Sequence, residues 1–139
     1  MKRWFVCLVS MALPITPLAF AQSATVPRVA VKSAVAPLYP PIAATANTSG
    51  DVKITVTVDR SGSVAKANFV SGNPLLHKAA IEAAKRWKFE GTQHEAEVQL
   101  IFSFRMTPKN ASPEEMTPVF IPPYRIEIRT KVPEPTVNY

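Results

Sequence analysis

The side chains that most often do chemistry are few in this chain, and they are not grouped. His77 lies in the first turn of a predicted helix and His94 in a predicted turn, and neither has a Cys, Asp or Glu at metal-ligand spacing. Ser61-Gly62-Ser63 lacks the strand and helix that flank a nucleophilic serine. The chain's 4 glycines form no phosphate-binding loop. We therefore predict a binding or interaction protein, not an enzyme, with no catalytic residue, no metal and no small-molecule cofactor.

The first 21 residues have the layout of a secretory signal peptide. Met1-Lys2-Arg3 is basic, residues 4–20 are mostly apolar, and Leu18-Ala19-Phe20-Ala21 ends in small residues at the −3 and −1 positions. Cleavage after Ala21 would also remove Cys7, the single cysteine, and would leave neither a disulfide nor a thiol nucleophile. The alternative is an uncleaved inner-membrane anchor, for which the apolar span is short and interrupted by prolines.

The charge of the chain is mildly basic. Without the N-terminal segment, 14 basic residues stand against 10 acidic ones. The local cluster of Lys78, Lys85, Arg86 and Lys88 is typical of a solvated helix face, because no aromatic residues alternate with the charges. We therefore expect no nucleic-acid partner.

Hydrophobic periodicity predicts a helix from Pro74 to Trp87 at the centre of the domain. Asn73 suits an N-cap, and Pro74 suits the first helical position. One apolar stripe runs along the helix through Leu76, Ala80, Ala83 and Trp87. Since segments of period two flank the helix on both sides, we expect this stripe to pack on a sheet.

Three segments alternate as strands: residues 51–59, 64–70 and 95–106. A short helix is predicted over residues 39–46, and Asp59-Arg60-Ser61-Gly62 is typical of a hairpin turn. The order helix-strand-strand-helix-strand predicts a small α+β domain with two helices on one face of a three-stranded sheet. The predicted core consists of Val52, Ile54, Val56, Val58, Leu76, Ala80, Ala83, Trp87, Phe89, Phe102 and Phe104.

Composition divides the chain into four parts. We expect a signal peptide over 1–21, an extended linker over 22–38, a domain over 39–106 and a Pro-rich extension over 107–139. Prolines in the extension argue against regular structure as far as Pro123. Residues 124–132 then alternate and are bounded by prolines, which is typical of an edge strand.

A series of short motifs between Tyr39 and Met106 resembles the C-terminal domain of TonB-family energy transducers. The motifs, in order, are Tyr39-Pro40-x-x-Ala43, Gly50-x-Val52, Val56-x-Val58-Asp59-x-x-Gly62-x-Val64, Val70-Ser71-Gly72, Leu76-x-x-Ala79-Ala80, Trp87-Lys88-Phe89 and Phe102-x-Phe104. The resemblance implies a three-stranded antiparallel sheet with two helices on one face. It also implies a place in the periplasm of a Gram-negative-type bacterium.

The resemblance further implies a function in TonB-type transmembrane transport. The domain would bind an extended peptide of an outer-membrane receptor, or another envelope protein, as an added strand, with backbone hydrogen bonds supplying affinity. The family receives this peptide on its last strand. In this chain that edge corresponds to Glu95, Glu97, Val98, Gln99, Leu100, Ile101, Phe102 and Ser103.

Two alternatives to a soluble peptide-binding module stay open. One is a membrane-tethered energy transducer that retains its N-terminal segment, and the other is a structural domain that self-associates as a homodimer. The predicted strand over 124–132 also has two possible places. It would either fold back on the free edge of the sheet, where it would block the peptide site, or pack elsewhere or reach another chain.

Overall fold

The computed structural model describes residues 28–133. The helices are α1 (Pro41–Thr45) and α2 (Pro74–Lys85), with one 3-10 turn at Glu114–Met116. The strands are β1 (Val31–Ser33), β2 (Gly50–Val58), β3 (Val64–Ser71), β4 (Lys88–Phe89), β5 (Ala96–Thr107), β6 (Val119–Ile121) and β7 (Arg125–Lys131). The predicted signal peptide lies outside the described residues.

The main sheet is mixed and has five strands, in the order β3-β2-β5-β7-β6. The three predicted strands pair antiparallel, with β2 between β3 on one side and β5 on the other. The α+β class is confirmed, but the prediction of a purely antiparallel three-stranded sheet is wrong. The two added strands come from the C-terminal segment, and β7 runs parallel to β5.

One face of this sheet forms the core. Alternate residues of β2 point to this face, as do alternate residues of β5 and β7. Both helices contribute to the same cluster through Leu76, Ala80 and Ala83 of α2 and Ala43 of α1. All eleven residues that we assigned to the core from the sequence are buried: Val52, Ile54, Val56, Val58, Leu76, Ala80, Ala83, Trp87, Phe89, Phe102 and Phe104.

Helix α2 begins where its sequence predicts. The Asn73 side chain accepts a hydrogen bond from the Leu75 amide at 2.9 Å, and Pro74 is the first helical residue. The helix ends at Lys85, two residues before the predicted end at Trp87. The Trp87 indole is fully buried against the rings of Phe89 and Phe102. This helix therefore fixes the inner face of the sheet.

Part of the expected linker packs against the domain. Residues 28–38 are largely extended, as predicted, but β1 pairs with β4, which follows α2. Val29 is buried, and the carbonyl oxygen of Val35 accepts a hydrogen bond from the Trp87 indole at 2.9 Å. The described part of the linker is therefore a strap across the core and not a free spacer.

The C-terminal extension contains more regular structure than its prolines suggest. We expected none before Pro123, and this expectation is wrong, since the 3-10 turn and β6 both precede it. Each element fits between two prolines, so neither needs a helical or ladder hydrogen bond from a proline nitrogen. The predicted strand over 124–132 corresponds to β7.

No helix within residues 28–133 has the length and apolar composition that crossing a membrane requires.

Candidate functional site

The predicted binding edge corresponds to β5 and the residue before it. Glu95 precedes the strand and is exposed, while Glu97 and Gln99 are exposed on the outer face of the sheet. Ile101 and Ser103 point to the same outer face, where Ile101 is half-buried and Ser103 fully buried. The remaining predicted site residues, Val98, Leu100 and Phe102, belong to the core on the opposite face.

The two sides of β5 are paired over different stretches of the strand. β2 covers Ala96 to Phe104 on one side. On the other side β7 pairs with Ile101 to Thr107, and the Ile101 amide donates to the Tyr124 carbonyl at 2.9 Å. Within residues 28–133, no strand pairs with this side of β5 before Ile101.

The backbone groups on this unpaired stretch can be assigned from the alternation of the strand. Both backbone groups of one residue point to the same side, and the side changes with each residue. The Ile101 amide and the Thr107 carbonyl both face β7. The N–H and C=O groups of Glu97 and Gln99 therefore face the same way, where β7 does not reach. We call the stretch Ala96–Leu100, on this side, the open half of the β5 edge.

A small cavity lies beside the open half. Its volume is about 190 Å³, and it is lined by Val29, Ala96 and the turn residues 92–95. A second cavity of about 270 Å³ also borders Val29 and extends to Phe120, Pro122, Pro123 and Tyr124. The sequence did not indicate these positions, because the N-terminal strap that supplies Val29 was expected to be a linker. The arrangement has room for a side chain of an added strand on the inner side of the edge.

Charged side chains cover the outer face where β5 meets β7. The Asp51 carboxylate accepts from Arg105 of β5 at 3.0 Å and from Arg125 of β7 at 3.1 Å. Within β7, Arg129 donates to Glu127 at 2.7 Å. These pairs keep about a third of their surface in water, so each contributes at most about 1 kcal/mol to stability. Asp51 thus links the last predicted strand to the C-terminal strand.

The other side chains capable of chemistry differ in their neighbours within the described part of the chain. No set of three or more His, Cys, Asp or Glu side chains within residues 28–133 could hold a metal ion. His77 stacks on Phe69 with a ring-centroid distance of 4.4 Å. His94 lines a wide cavity of about 580 Å³ together with Asp59, Arg60, Ser61 and Glu95.

Asp59 beside that cavity has a role in the hairpin turn. Its carboxylate accepts from the Ser61 hydroxyl at 2.6 Å and from the amides of Ser61 and Ser63 at 2.9 and 3.0 Å. The hydrogen bond from the Ser61 side chain, followed by that from the Ser63 backbone, lowers the pKa of Asp59 below its ordinary value. These bonds, all to Oδ1, stabilise the turn between β2 and β3.

The region that contains this edge matches a known family. The model of the family described as Gram-negative bacterial TonB protein C-terminal matches residues 35–107. The chain belongs to this family. The family is a non-enzymatic domain of energy transducers and is periplasmic in Gram-negative bacteria. Its matched region ends at the last residue of β5, so β6 and β7 lie beyond it.

Two curated relatives are similar over a shorter stretch. Both are called Protein TonB, from two strains of Xanthomonas campestris pv. campestris, B100 and ATCC 33913. Each is 40% identical to this chain over 58 residues. That stretch covers 40% of this chain and 26% of each relative. The chain therefore matches about a quarter of the length of these proteins.

Proposed function

We propose that this chain acts in TonB-dependent transport as a periplasmic interaction module. It binds an extended segment of an outer-membrane receptor, or of another envelope protein, as an added strand on β5. The observation that supports this proposal most directly is the open half of the β5 edge. There, the family's last strand presents the backbone groups of Glu97 and Gln99 without a partner strand among the described residues.

The charge and shape of the open half indicate what kind of segment it accepts. Glu95 and Glu97 are exposed at its outer side, so a basic residue of the added strand would be favoured there. On the inner side, the cavity beside Val29 has room for one small apolar side chain. We therefore infer a segment in which a basic and a small apolar residue stand at adjacent positions, since neighbouring side chains of a strand point to opposite faces.

A single proline substitution at Gln99 tests whether the segment binds as an added strand. The Gln99 amide points to the open side, so Gln99→Pro removes a donor from the edge without removing a bond to β2. Gln99→Ala is the matched control, because it removes the side chain but keeps the amide. Both variants, and the unchanged chain, would be titrated by NMR with synthetic peptides that tile the periplasmic N-terminal segments of outer-membrane receptors.

We expect the two variants to differ in their affinity for the peptide. A peptide that shifts and protects the amides of Glu97 and Gln99 in the unchanged chain should bind Gln99→Ala with similar affinity. It should bind Gln99→Pro about two- to tenfold more weakly, the loss expected for one backbone hydrogen bond. Equal binding by a folded Gln99→Pro variant would contradict strand addition at this edge. A failure of every receptor peptide to shift these amides would contradict the proposed function itself.

A further inference from the structure

We propose that β7 takes the place on the β5 edge that a partner strand would otherwise occupy. It occupies the second half of the β5 edge and gives way to a partner strand that also pairs with the open half. This inference rests on the proposed function above, because it concerns the same edge. Its first support is position: the matched family domain ends at Thr107, yet the strand that follows in this chain pairs along Ile101–Thr107.

The second support is how little of β7 enters the core. Its two inward side chains are Ile126 and Ile128, which are 3% and 4% exposed and stand opposite Phe102 and Phe104. The central strand β2, in contrast, buries four aliphatic side chains completely. The outward residues of β7 make the partly exposed ion pairs Asp51–Arg125 and Glu127–Arg129. Tyr124, just before β7, donates to the Val29 carbonyl at 2.9 Å. β7 is thus attached chiefly by its backbone ladder, two isoleucines and the bond from Tyr124.

The third support is that β7 is bounded as a separate unit. Pro122-Pro123 precede it and Pro133 follows it, so its ladder cannot extend in either direction through a proline amide. β6, on its far side, has three residues that are 39% to 44% exposed. The segment therefore adds a strand to the sheet without adding a second layer of core.

The pairing of β7 indicates the partner that could replace it. A replacing strand must run parallel to β5, and its N-terminal residues would then lie on the open half beside Glu97 and Gln99. Farther along it needs aliphatic side chains two positions apart, in the places of Ile126 and Ile128. A basic residue just before the first aliphatic one would take the place of Arg125 beside Asp51. The partner class is thus an extended segment of an envelope protein with the pattern basic-aliphatic-x-aliphatic.

The open half gives such a segment a starting point. The first backbone bonds form at Glu97 and Gln99 without any loss of β7 pairing, and each later bond replaces one from β7. Occupancy by β7 lowers the apparent affinity for a long partner segment by the fraction of molecules in which the edge is free. If β7 is docked in about 99 of 100 molecules, that reduction is about 100-fold.

Two variants of the full chain test the inference, both in a Cys7→Ser background. In the locked variant, Ser103→Cys and Glu127→Cys introduce a disulfide between directly paired residues of β5 and β7. Neighbouring strands lie about 5 Å apart, a distance that a disulfide can span. In the released variant, Ile126→Ser and Ile128→Ser weaken docking of β7. Val119→Ser with Ile121→Ser is the matched control, because it changes two exposed residues of β6.

The probe is a synthetic peptide with the sequence of residues 122–133, and a scrambled peptide serves as its control. We expect the released variant to bind the probe at least about tenfold more tightly than the unchanged chain and the β6 control, with protection of the Ile101 and Ser103 amides. The oxidised locked variant should not bind, and reduction should restore the affinity of the unchanged chain. Near-UV circular dichroism checks that each variant is folded.

The outcomes separate this inference from the proposed function. Equal probe binding by oxidised and reduced locked protein would overturn the inference, as would a folded released variant that binds no better than the β6 control. If receptor peptides still protect Glu97 and Gln99 in that case, the proposed function stands without the inference. If β7 exchanges with the probe but no receptor peptide binds, the proposed function is contradicted, while the exchange of β7 on the β5 edge stands.

Discussion

The indole nitrogen of Trp87 donates a hydrogen bond to the carbonyl oxygen of Val35 at 2.9 Å. The two residues lie 52 positions apart, and the bond connects the end of α2 to the N-terminal strap. The same indole is fully buried and packs edge-on against Phe102 of β5, with ring centroids 5.9 Å apart. Trp87 therefore joins the helix, the strap and the strand that forms the candidate binding edge.

Replacement of Trp87 should reveal how much stability this junction supplies. Trp87→Ala removes a fully buried aromatic side chain, and we expect the free energy of unfolding to fall by about 3–5 kcal/mol. Trp87→Phe keeps an aromatic ring but loses the bond to Val35, so its loss should be smaller. Leu38→Ala is the control, since Leu38 is 84% exposed and should change the unfolding energy by less than about 0.5 kcal/mol. Urea denaturation measures the free energy of unfolding of all three variants. If Trp87→Ala were as stable as the unchanged chain, the assignment of Trp87 to the core would be contradicted.

Gly62 is required at its position by conformation and by space. Its φ is +84°, and a Cβ built there would lie 2.0 Å from the carbonyl oxygen of Phe89. We expect Gly62→Ala to lower the free energy of unfolding by more than about 2 kcal/mol. Gly50→Ala is the matched control: its φ is also positive, but no heavy atom lies within 4 Å of its Cβ position. Equal losses for the two variants, measured by thermal unfolding, would show that the approach to Phe89 is unimportant.

Ser103 is a buried polar residue whose hydroxyl we expect not to stabilise the fold. Its side chain is fully buried, and its hydroxyl has no hydrogen-bond partner among residues 28–133. Ser103→Ala should therefore leave the unfolding energy unchanged or raise it by up to about 1 kcal/mol. Thr55→Ala, at a half-buried position on the same outer face, is a suitable control. A loss above about 1 kcal/mol in chemical denaturation would show that the hydroxyl is satisfied in solution.

Asp59 should make the stability of the hairpin depend on pH. Its folded-state pKa is lowered, mainly by the Ser61 hydroxyl, so folding favours the ionised form. The contribution is present above the ordinary value of 3.8 and is lost as the pH falls below it through the folded pKa. Asp59→Asn cannot titrate, so it should be less stable than the unchanged chain near neutral pH and equally stable in strong acid. Parallel denaturation curves at all pH values would refute this role.

The helices and strands of the family domain could be predicted well from the sequence because their hydrophobic residues recur with regular periods. The N-cap at Asn73, the stripe that ends at Trp87 and the alternation of β2 all rest on local residue order, and the structure places them as that order suggests. The open half of the β5 edge could not be predicted in this way. Its limit at Ile101 depends on where β7 docks, and docking joins residues that are distant in the chain.

The strap over residues 28–38 was the element that local patterns described least well. Its irregular Ala- and Pro-containing sequence is typical of a linker, and its order comes from partners far along the chain. Trp87 and Tyr124 hold it, through bonds to the carbonyl oxygens of Val35 and Val29. No periodicity within the strap could have indicated either bond, because each is formed by a side chain of another element.

The bond between Tyr124 and Val29 has a mechanical consequence. Tyr124 immediately precedes β7, and its hydroxyl donates to the Val29 carbonyl at 2.9 Å. The strap is otherwise tied here by the short β1–β4 pairing and by the Glu90 amide, which donates to the Ala30 carbonyl. Tension applied to the chain at Arg28 would therefore act on Val29, whose side chain is buried, and on its bond to Tyr124. A pull from the N-terminal side would thus be passed, through this bond, to the residue just before the strand beside the binding edge.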